Sequence, residues 1–325
     1  MKTFYKGAML LIIASFIGEC IEVLINIVLA KELGEQGLGF YMSILPTIVF
    51  VVVIASIELP VSISKFVAEK EETYHRSMLG HTLVFATVWT LILIIIAIWA
   101  LPLLPIFDRY HPYVPWLLIG FIPLITFSSV AKGYFMGVQK MEKIALGNLI
   151  ERFGQLILLY FLFKIVTADE SLAIFIALCA LIASELLSFS YLFFSFLLQM
   201  NLLKRKPNLT MSGKKVREAL LEVSLPTTAL RIFHAATFAI KPFLIKEALV
   251  RGGMLESVAI AQYGNMAGVA FTIGFFPAFI AHSLLIALIP TVSEAYARKD
   301  IRYLHTLLKK VIAFTSGYGL PAIFI

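Results

Sequence analysis

The sequence predicts an all-α fold, a polytopic membrane helical bundle with one complete six-helix lobe and a partial second lobe. Three observations carry that expectation. Of 325 residues, 60% are hydrophobic and 14% charged, and the mean hydropathy is +0.92. A soluble chain of this length could not bury so much apolar surface in one or two cores. The apolar residues gather into eight long segments and the start of a ninth, near 7–30, 38–59, 79–101, 113–131, 144–166, 171–200, 219–247, 258–291 and 311 to the last residue. Finally, 19 of the 27 Lys and Arg residues lie at the N-terminus and in the second, fourth, sixth and eighth loops. Cytoplasmic loops retain Lys and Arg, so the N-terminus and the even loops are expected in the cytoplasm.

The segments justify themselves in order. About 20 apolar residues at 1.5 Å each cross a hydrocarbon core, and a backbone in lipid must satisfy its own hydrogen bonds, which favours helices. Lys2 and Lys6 ahead of the first run resemble a secretory signal, but Glu19 and Glu22 interrupt it and no small-residue cleavage site follows. It is therefore expected as a retained helix. The second run exits at Pro60. Runs three to six complete an N-terminal six-helix lobe over 1–200. Residues 201–218, with Lys204-Arg205-Lys206-Pro207 and Lys214-Lys215-Val216-Arg217, form the longest polar stretch and a basic cytoplasmic linker. Residues 219–325 make the partial C-terminal lobe, two helices and the start of a third. The eighth run has no polar turn in Phe275-Phe276-Pro277-Ala278-Phe279, so one long helix kinked at Pro277 is expected. The last run is short of a full span, and the chain reads as truncated at its C-terminus.

A short echo links the halves. Ser64, Ala68 and Lys70 share one offset with Ser293, Ala297 and Lys299, after the second run of each half. Two lobes related about the membrane normal would produce it.

Other classes are disfavoured. No short alternating segments suggest a β-barrel. The net charge of +7 follows from the loop asymmetry and implies no nucleic acid. Cys20 and Cys179 lie within spans and read as packing residues, not a disulfide or metal site. Asn208-Leu209-Thr210 matches a glycosylation acceptor on the wrong side of the membrane. No phosphate-binding loop, metal motif or nucleophile elbow is present, Asp is confined to Asp108, Asp169 and Asp300, and no enzyme activity, cofactor or metal is expected.

Ionisable residues at bilayer depth mark pathways or buried pairs. Ser15, Glu19, Glu22 and Asn26 fall within about 60° of helical arc; Arg231, His234 and Lys241 within about 80°. A second tier on the fifth run, Asn148, Glu151, Arg152 and Gln155, spans about 100°, and Ser184, Glu185 and Ser188 lie on the sixth. Glu19 and Glu22 are expected to face Arg231 and Lys241 across an aqueous cavity, where an anionic substrate would displace their pairing. A static salt bridge between lobes, or pairing inside one bundle, with no transport role, is the alternative. Gly133-Tyr-Phe-Met-Gly137 and Gly264-Asn-Met-Ala-Gly268 have the spacing of close helix contacts.

Three stretches carry a resemblance. Lys31-Glu-Leu-Gly34-Glu-Gln-Gly37-Leu-Gly39-Phe40-Tyr41 resembles the first external loop of polysaccharide flippases in the multidrug/oligosaccharidyl-lipid/polysaccharide exporter superfamily. Leu59-Pro60-Val-Ser-Ile-Ser64-Lys65-Phe-Val-Ala68-Glu69 resembles the exit from their second helix. Lys132-Gly133-Tyr134-Phe135-Met136-Gly137-Val-Gln139-Lys-Met141, with Ile150-Glu151-Arg152 after it, is similar to the signature of the stage V sporulation protein B branch, with Lys132 and Met136 in place of Arg and Gln. The resemblance implies two six-helix lobes and alternating access that carries a lipid-linked saccharide, a polysaccharide or peptidoglycan precursor, outward. Its partners would be a polyprenyl-linked saccharide, membrane lipid and, as a candidate, a coupling ion. Lipid II flippases of the superfamily bear arginines on the first helix, where this chain has Glu19 and Glu22. The rival expectations are a cation-coupled multidrug exporter and a non-transporting partner or remnant.

Overall fold

The computed structural model describes residues 2–166, 169–203 and 209–322, and every regular element among them is helical. Lys204-Arg205-Lys206-Pro207, Asn208 and the last three residues of the ninth run lie outside the described residues.

Helix α1 (Lys2–Ser56) has two arms, 2–33 and 35–56, that meet at Gly34, with φ 69° and ψ 178°. A residue without Cβ takes that conformation at little cost, so the chain reverses on one glycine. The expected external loop over 31–37 is helical on either side of it. The second arm ends at Ile57 and Glu58, both left-handed at φ 40° and 50°. Such backbone costs about 1–3 kcal/mol per residue unless the surroundings hold it. Here they do. The freed carbonyl of Ile54 accepts from Trp89 Nε1 and that of Ala55 from Thr126 Oγ1, while the Val53 carbonyl, still bonded to Ile57 N–H, also accepts from Ser56 Oγ, the three side-chain bonds each at 3.1 Å. Helix α2 (Leu59–Glu69) then starts with Pro60 in its first turn, where a missing N–H is harmless.

Helices α3 (Glu72–Ala100), α4 (Val114–Gly137), α5 (Met141–Ile165) and α6 (Glu170–Leu203) match the expected spans and extend past them into their polar flanks. Helix α7 (Gly213–Arg251) begins inside the expected linker. What precedes it is tied to α3: Met211 N–H donates to Ser77 Oγ at 3.0 Å, and Leu209 N–H to the Thr73 carbonyl at 3.1 Å.

The eighth run is not one kinked helix. It comprises α8 (Glu256–Asn265), a π turn (Met266–Ala270), α9 (Phe271–Gly274), a break at 275–277 and α10 (Ala278–Ala297). The π turn follows the point where α8 crosses the second arm of α1. A Cβ on Gly39 would lie 2.2 Å from the Ile260 carbonyl oxygen, and one on Gly264 2.6 Å from the Gly39 nitrogen. Helix α11 (Ile301–Ala322) starts ten residues before the expected apolar run.

Two apolar clusters show how the helices alternate. One joins Ile21–Leu33 and Leu38–Ile48 with Leu93, Val114–Ile125, Leu159, Ala173–Ile182 and Tyr263. The other joins Phe4–Ala14 and Ile57–Val67 with Met78–Ala86, Val130–Ala145, Leu192–Leu203, Val216, Leu220 and Leu284–Leu307. The first arm of α1 and helices α3 to α6 each contribute one end to each cluster, as does the second arm of α1 taken together with α2, so these successive segments run antiparallel. The second cluster lies toward the end that gathers the N-terminus and the basic even loops. Seven helical stretches among the described residues are long and apolar enough to cross a membrane, and the first, 4–69, runs across and back. Exposed Val84, Val88, Leu91, Ile95 and Trp99 give α3 a lipid-facing side. This is a multi-pass membrane protein.

Candidate functional site

The polar stripe of the first arm of α1 faces the broken eighth helix. Ser15, Glu19, Glu22, Thr272, Phe275, Ala278, Phe279 and His282 line a cavity of about 320 Å³ between them. Its ends are stitched by hydrogen bonds. Asn26 Nδ2 donates to Thr272 Oγ1 at 3.0 Å, and Ser283 Oγ to Ser15 Oγ at 2.8 Å. The interruption at 275–277 lies between the two apolar clusters, so the cavity is near mid-depth. A helix broken at that depth is how transporters expose polar backbone to a ligand.

The expected partners are redistributed. Glu22 forms an ion pair with Arg152 of α5, not with α7. Arg231 pairs with Glu58, at the break between the second arm of α1 and α2. Lys241 lies over the Phe271 ring, 4.5 Å from its centroid. His234 is exposed on α7. Across the cavity from Glu19 and Glu22 stands α10, with His282, which is close enough to Arg231 to feel its charge. Facing elements cannot be phased from helical periodicity, because arc positions within one helix say nothing of which neighbour it meets.

The second-tier residues gather behind this wall. Glu185, buried on α6, accepts from Ser128 Oγ at 3.1 Å and Lys132 Nζ at 3.3 Å. Glu151 interacts with Glu185, Lys132 and Arg152. Gln155 is buried and Asn148 half-buried along α5. Four carboxyls, Glu19, Glu22, Glu151 and Glu185, thus share two cations, Lys132 and Arg152, with a formal excess of two negative charges. No group of three or more metal-ligating side chains occurs among the described residues.

Glu58 and Lys132 escaped the sequence reading. Glu58-Leu59-Pro60 looked like the cytoplasmic exit of a span, and Lys132 like a loop residue. The available signal was length: from Leu38 to Val67 the chain is apolar for too long to be one straight crossing.

Residues 4–296 match the family described as polysaccharide biosynthesis protein. The chain belongs to that family. Over all 325 residues this member is 48% identical to sporulation protein YkvU of Bacillus subtilis (strain 168), of which it covers 73%. It is 29% identical over 321 residues to stage V sporulation protein B of the same organism, spanning 62% of that protein and 96% of its own length. Among solved structures it superimposes on an outward-facing multidrug resistance MATE family transporter of the MOP superfamily with TM-score 0.69 at 15% identity, covering 98% of this chain and 70% of that one. A MATE in complex with MaD3S gives the same TM-score and identity, over 98% and 72%. At that identity the likeness establishes the fold alone.

Proposed function

We propose that this member of the polysaccharide biosynthesis family is a flippase that moves a lipid-linked saccharide outward across the plasma membrane by alternating access. The observation that carries the reading is the cavity at mid-depth between the first arm of α1 and the broken eighth run, with Ser15, Glu19 and Glu22 on one wall and Thr272 and His282 among apolar residues on the other. A glycan needs water or polar groups to cross, while a polyprenyl tail can stay in lipid; a polar cleft between helices meets both needs. Cationic Arg231 beside the cavity offsets the charge of a phosphate linkage, with His234 and Lys241 further along α7. Glu19, Glu22 and Asn26 supply hydrogen-bond acceptors and an amide for hydroxyl groups.

The basic end faces the cytoplasm in this reading, and the chain divides into a lobe over 1–200, a linker over 201–218 and a second lobe from 219. The test is reconstitution into proteoliposomes with a fluorescent polyprenyl-diphosphate saccharide on one leaflet. Protein-dependent movement, with or without an ion gradient, is expected. Absence of movement under every gradient overturns the proposal.

One observation favours a second reading. The excess of carboxylates around Glu19 and Glu22 suits a cation, and the fold is shared with multidrug transporters, so a cation-coupled drug exporter is the rival. Deletion of the gene would then sensitise cells to cationic drugs, whereas the flippase reading expects a cell-envelope or sporulation defect instead.

A further inference from the structure

The break at Ile57–Glu58 has a charge arrangement unlike any other ion pair among the described residues. The Glu58 side chain is 5% exposed and that of Arg231, its partner, 59%. The carboxylate is deep in the bundle, between the two apolar clusters, while the Arg231 side chain is largely exposed, with the cavity-lining His282 within range of its charge. Arg231 uses Nη1 on Glu58. A guanidinium has five N–H donors in a planar fork that suits phosphate, so most of its donors remain for a ligand. Among the described residues Arg231 is the one side-chain partner of the Glu58 carboxylate.

We infer that Glu58 and Arg231 form an anion-operated latch: a phosphate-bearing head draws Arg231 away from Glu58, and the loss of that pair remodels the helix break. The inference rests on the flippase reading for the source of the phosphate and makes Glu58 the positioning residue for Arg231. A diphosphate offers two acceptors and more charge than one carboxylate, so it competes well for the fork. A buried carboxylate stripped of its countercharge is strongly disfavoured. It must move, and the backbone beside it is already poised.

The surroundings divide into a fixed part and a movable part. Upstream of the break, Trp89, Thr126 and Ser56 hold the carbonyls of Ile54, Ala55 and Val53. Downstream, α2 packs on α4 so closely that a Cβ on Gly133 would meet Pro60 and Ile63 and one on Gly137 would meet Val67 and the Ser64 carbonyl. Helices α2 and α4 are therefore one unit. The opposite seam, between α2 and α7, is different. The two helices run antiparallel with Glu58 level with Arg231, which sets Ser64 near the level of Ser224, one turn below Thr228. The hydroxyls of Ser64, Ser224 and Thr228 are all buried without a hydrogen-bond partner. None of these hydroxyls ties α2 to α7, so no hydrogen bond from them opposes a shift along this seam. Release of Arg231 thus frees α2 and α4 to move against α7.

The test uses purified protein in phosphatidylcholine nanodiscs, with inorganic pyrophosphate as the probe and amide hydrogen exchange over residues 53–62 as the readout. Pyrophosphate should bind and should raise exchange at 57–62 while 53–56 stay protected. In Glu58→Gln the competitor is weakened, so pyrophosphate should bind about tenfold tighter, the scale of one charge-assisted hydrogen bond, and the exchange response should vanish because no carboxylate is stranded. A merely structural Glu58 would not tighten binding. In Arg231→Lys, which keeps the charge and loses the fork, affinity should fall several-fold. Nanodiscs containing phosphatidylglycerol separate the sources. If that lipid alone raises exchange at 57–62, the bulk lipid head operates the latch; if pyrophosphate is needed, the cargo's phosphate does. No pyrophosphate binding, binding with unchanged exchange in the wild type, or unchanged affinity in Glu58→Gln overturns the latch. Should Glu58→Gln fail to fold, the wild-type response and Arg231→Lys decide alone. Because neither readout requires transport, a latch that responds in a protein that moves no saccharide lipid would refute the substrate class and leave the latch standing.

Discussion

Lys132 reaches Glu185 at 3.3 Å with side chains 26% and 7% exposed, and Glu151 leans on the same ammonium. Removing one partner of a buried pair strands the other, whereas neutralising a carboxylate leaves the lysine a second one. Lys132→Ala should therefore destabilise by about 3–5 kcal/mol, and Glu185→Gln by less than half of that, measured as unfolding of the purified protein in detergent. Equal losses would mean that charge burial does not govern this cluster. The acidic members of the network were visible in the sequence because a carboxylate inside an apolar run is conspicuous. Lys132 was not, since it stands at the end of a run, where a cation marks topology as readily as it marks a pair. Glu22 illustrates the same limit from the other side. Its stripe was legible at 100° per residue, but its partner Arg152 lies 130 positions away, and no spacing rule selects it over Arg231.

At the scale of elements, close contacts were easier to read than breaks. Small residues four apart announced the α2–α4 contact through Gly133 and Gly137, and the crossing of α8 over α1 through Gly264 and Gly268. The second crossing yields a sharp comparison. Gly39→Ala puts a methyl 2.2 Å from the Ile260 carbonyl oxygen, while Gly80 on α3 has nothing within 4 Å. Overpacking of that kind costs about 1–3 kcal/mol, and an alanine in an open helix position gains up to about 1 kcal/mol over glycine. Gly39→Ala should lower the melting temperature and Gly80→Ala should hold or raise it; the reverse order would refute the close crossing. The interruptions at 57–58 and 275–277 were less legible. Pro277 pointed to a kink, but a π turn and three non-helical residues depend on how α8 is pressed against its neighbour. Glu58 adopts its left-handed backbone because Trp89, Thr126 and Arg231 hold it there, and three distant side chains leave no local signature.

Across the whole molecule the alternation of Lys and Arg between loops proved the most durable signal, because it records a property of the entire bundle. The two apolar clusters place Phe4, Val67, Met136 and Leu203 at one end and Leu33, Leu101 and Tyr263 at the other, which is the alternation the charges demand. That geometry makes sidedness testable without a transport assay. In a background with Cys20 and Cys179 replaced by Ser, single cysteines at Lys140 and Lys215 belong to the basic end, and those at Arg109 and Glu256 to the opposite end, where the latter two form an ion pair on the surface. In intact cells a membrane-impermeant maleimide should label the Arg109 and Glu256 positions and spare the Lys140 and Lys215 positions until the membrane is opened. The positive-inside rule counts only short loops near span ends, and these positions satisfy it. Labelling of all four in intact cells would place the basic end outside. Outward movement of a cargo would then have to be rewritten as uptake, because the same cavity would load from the other face.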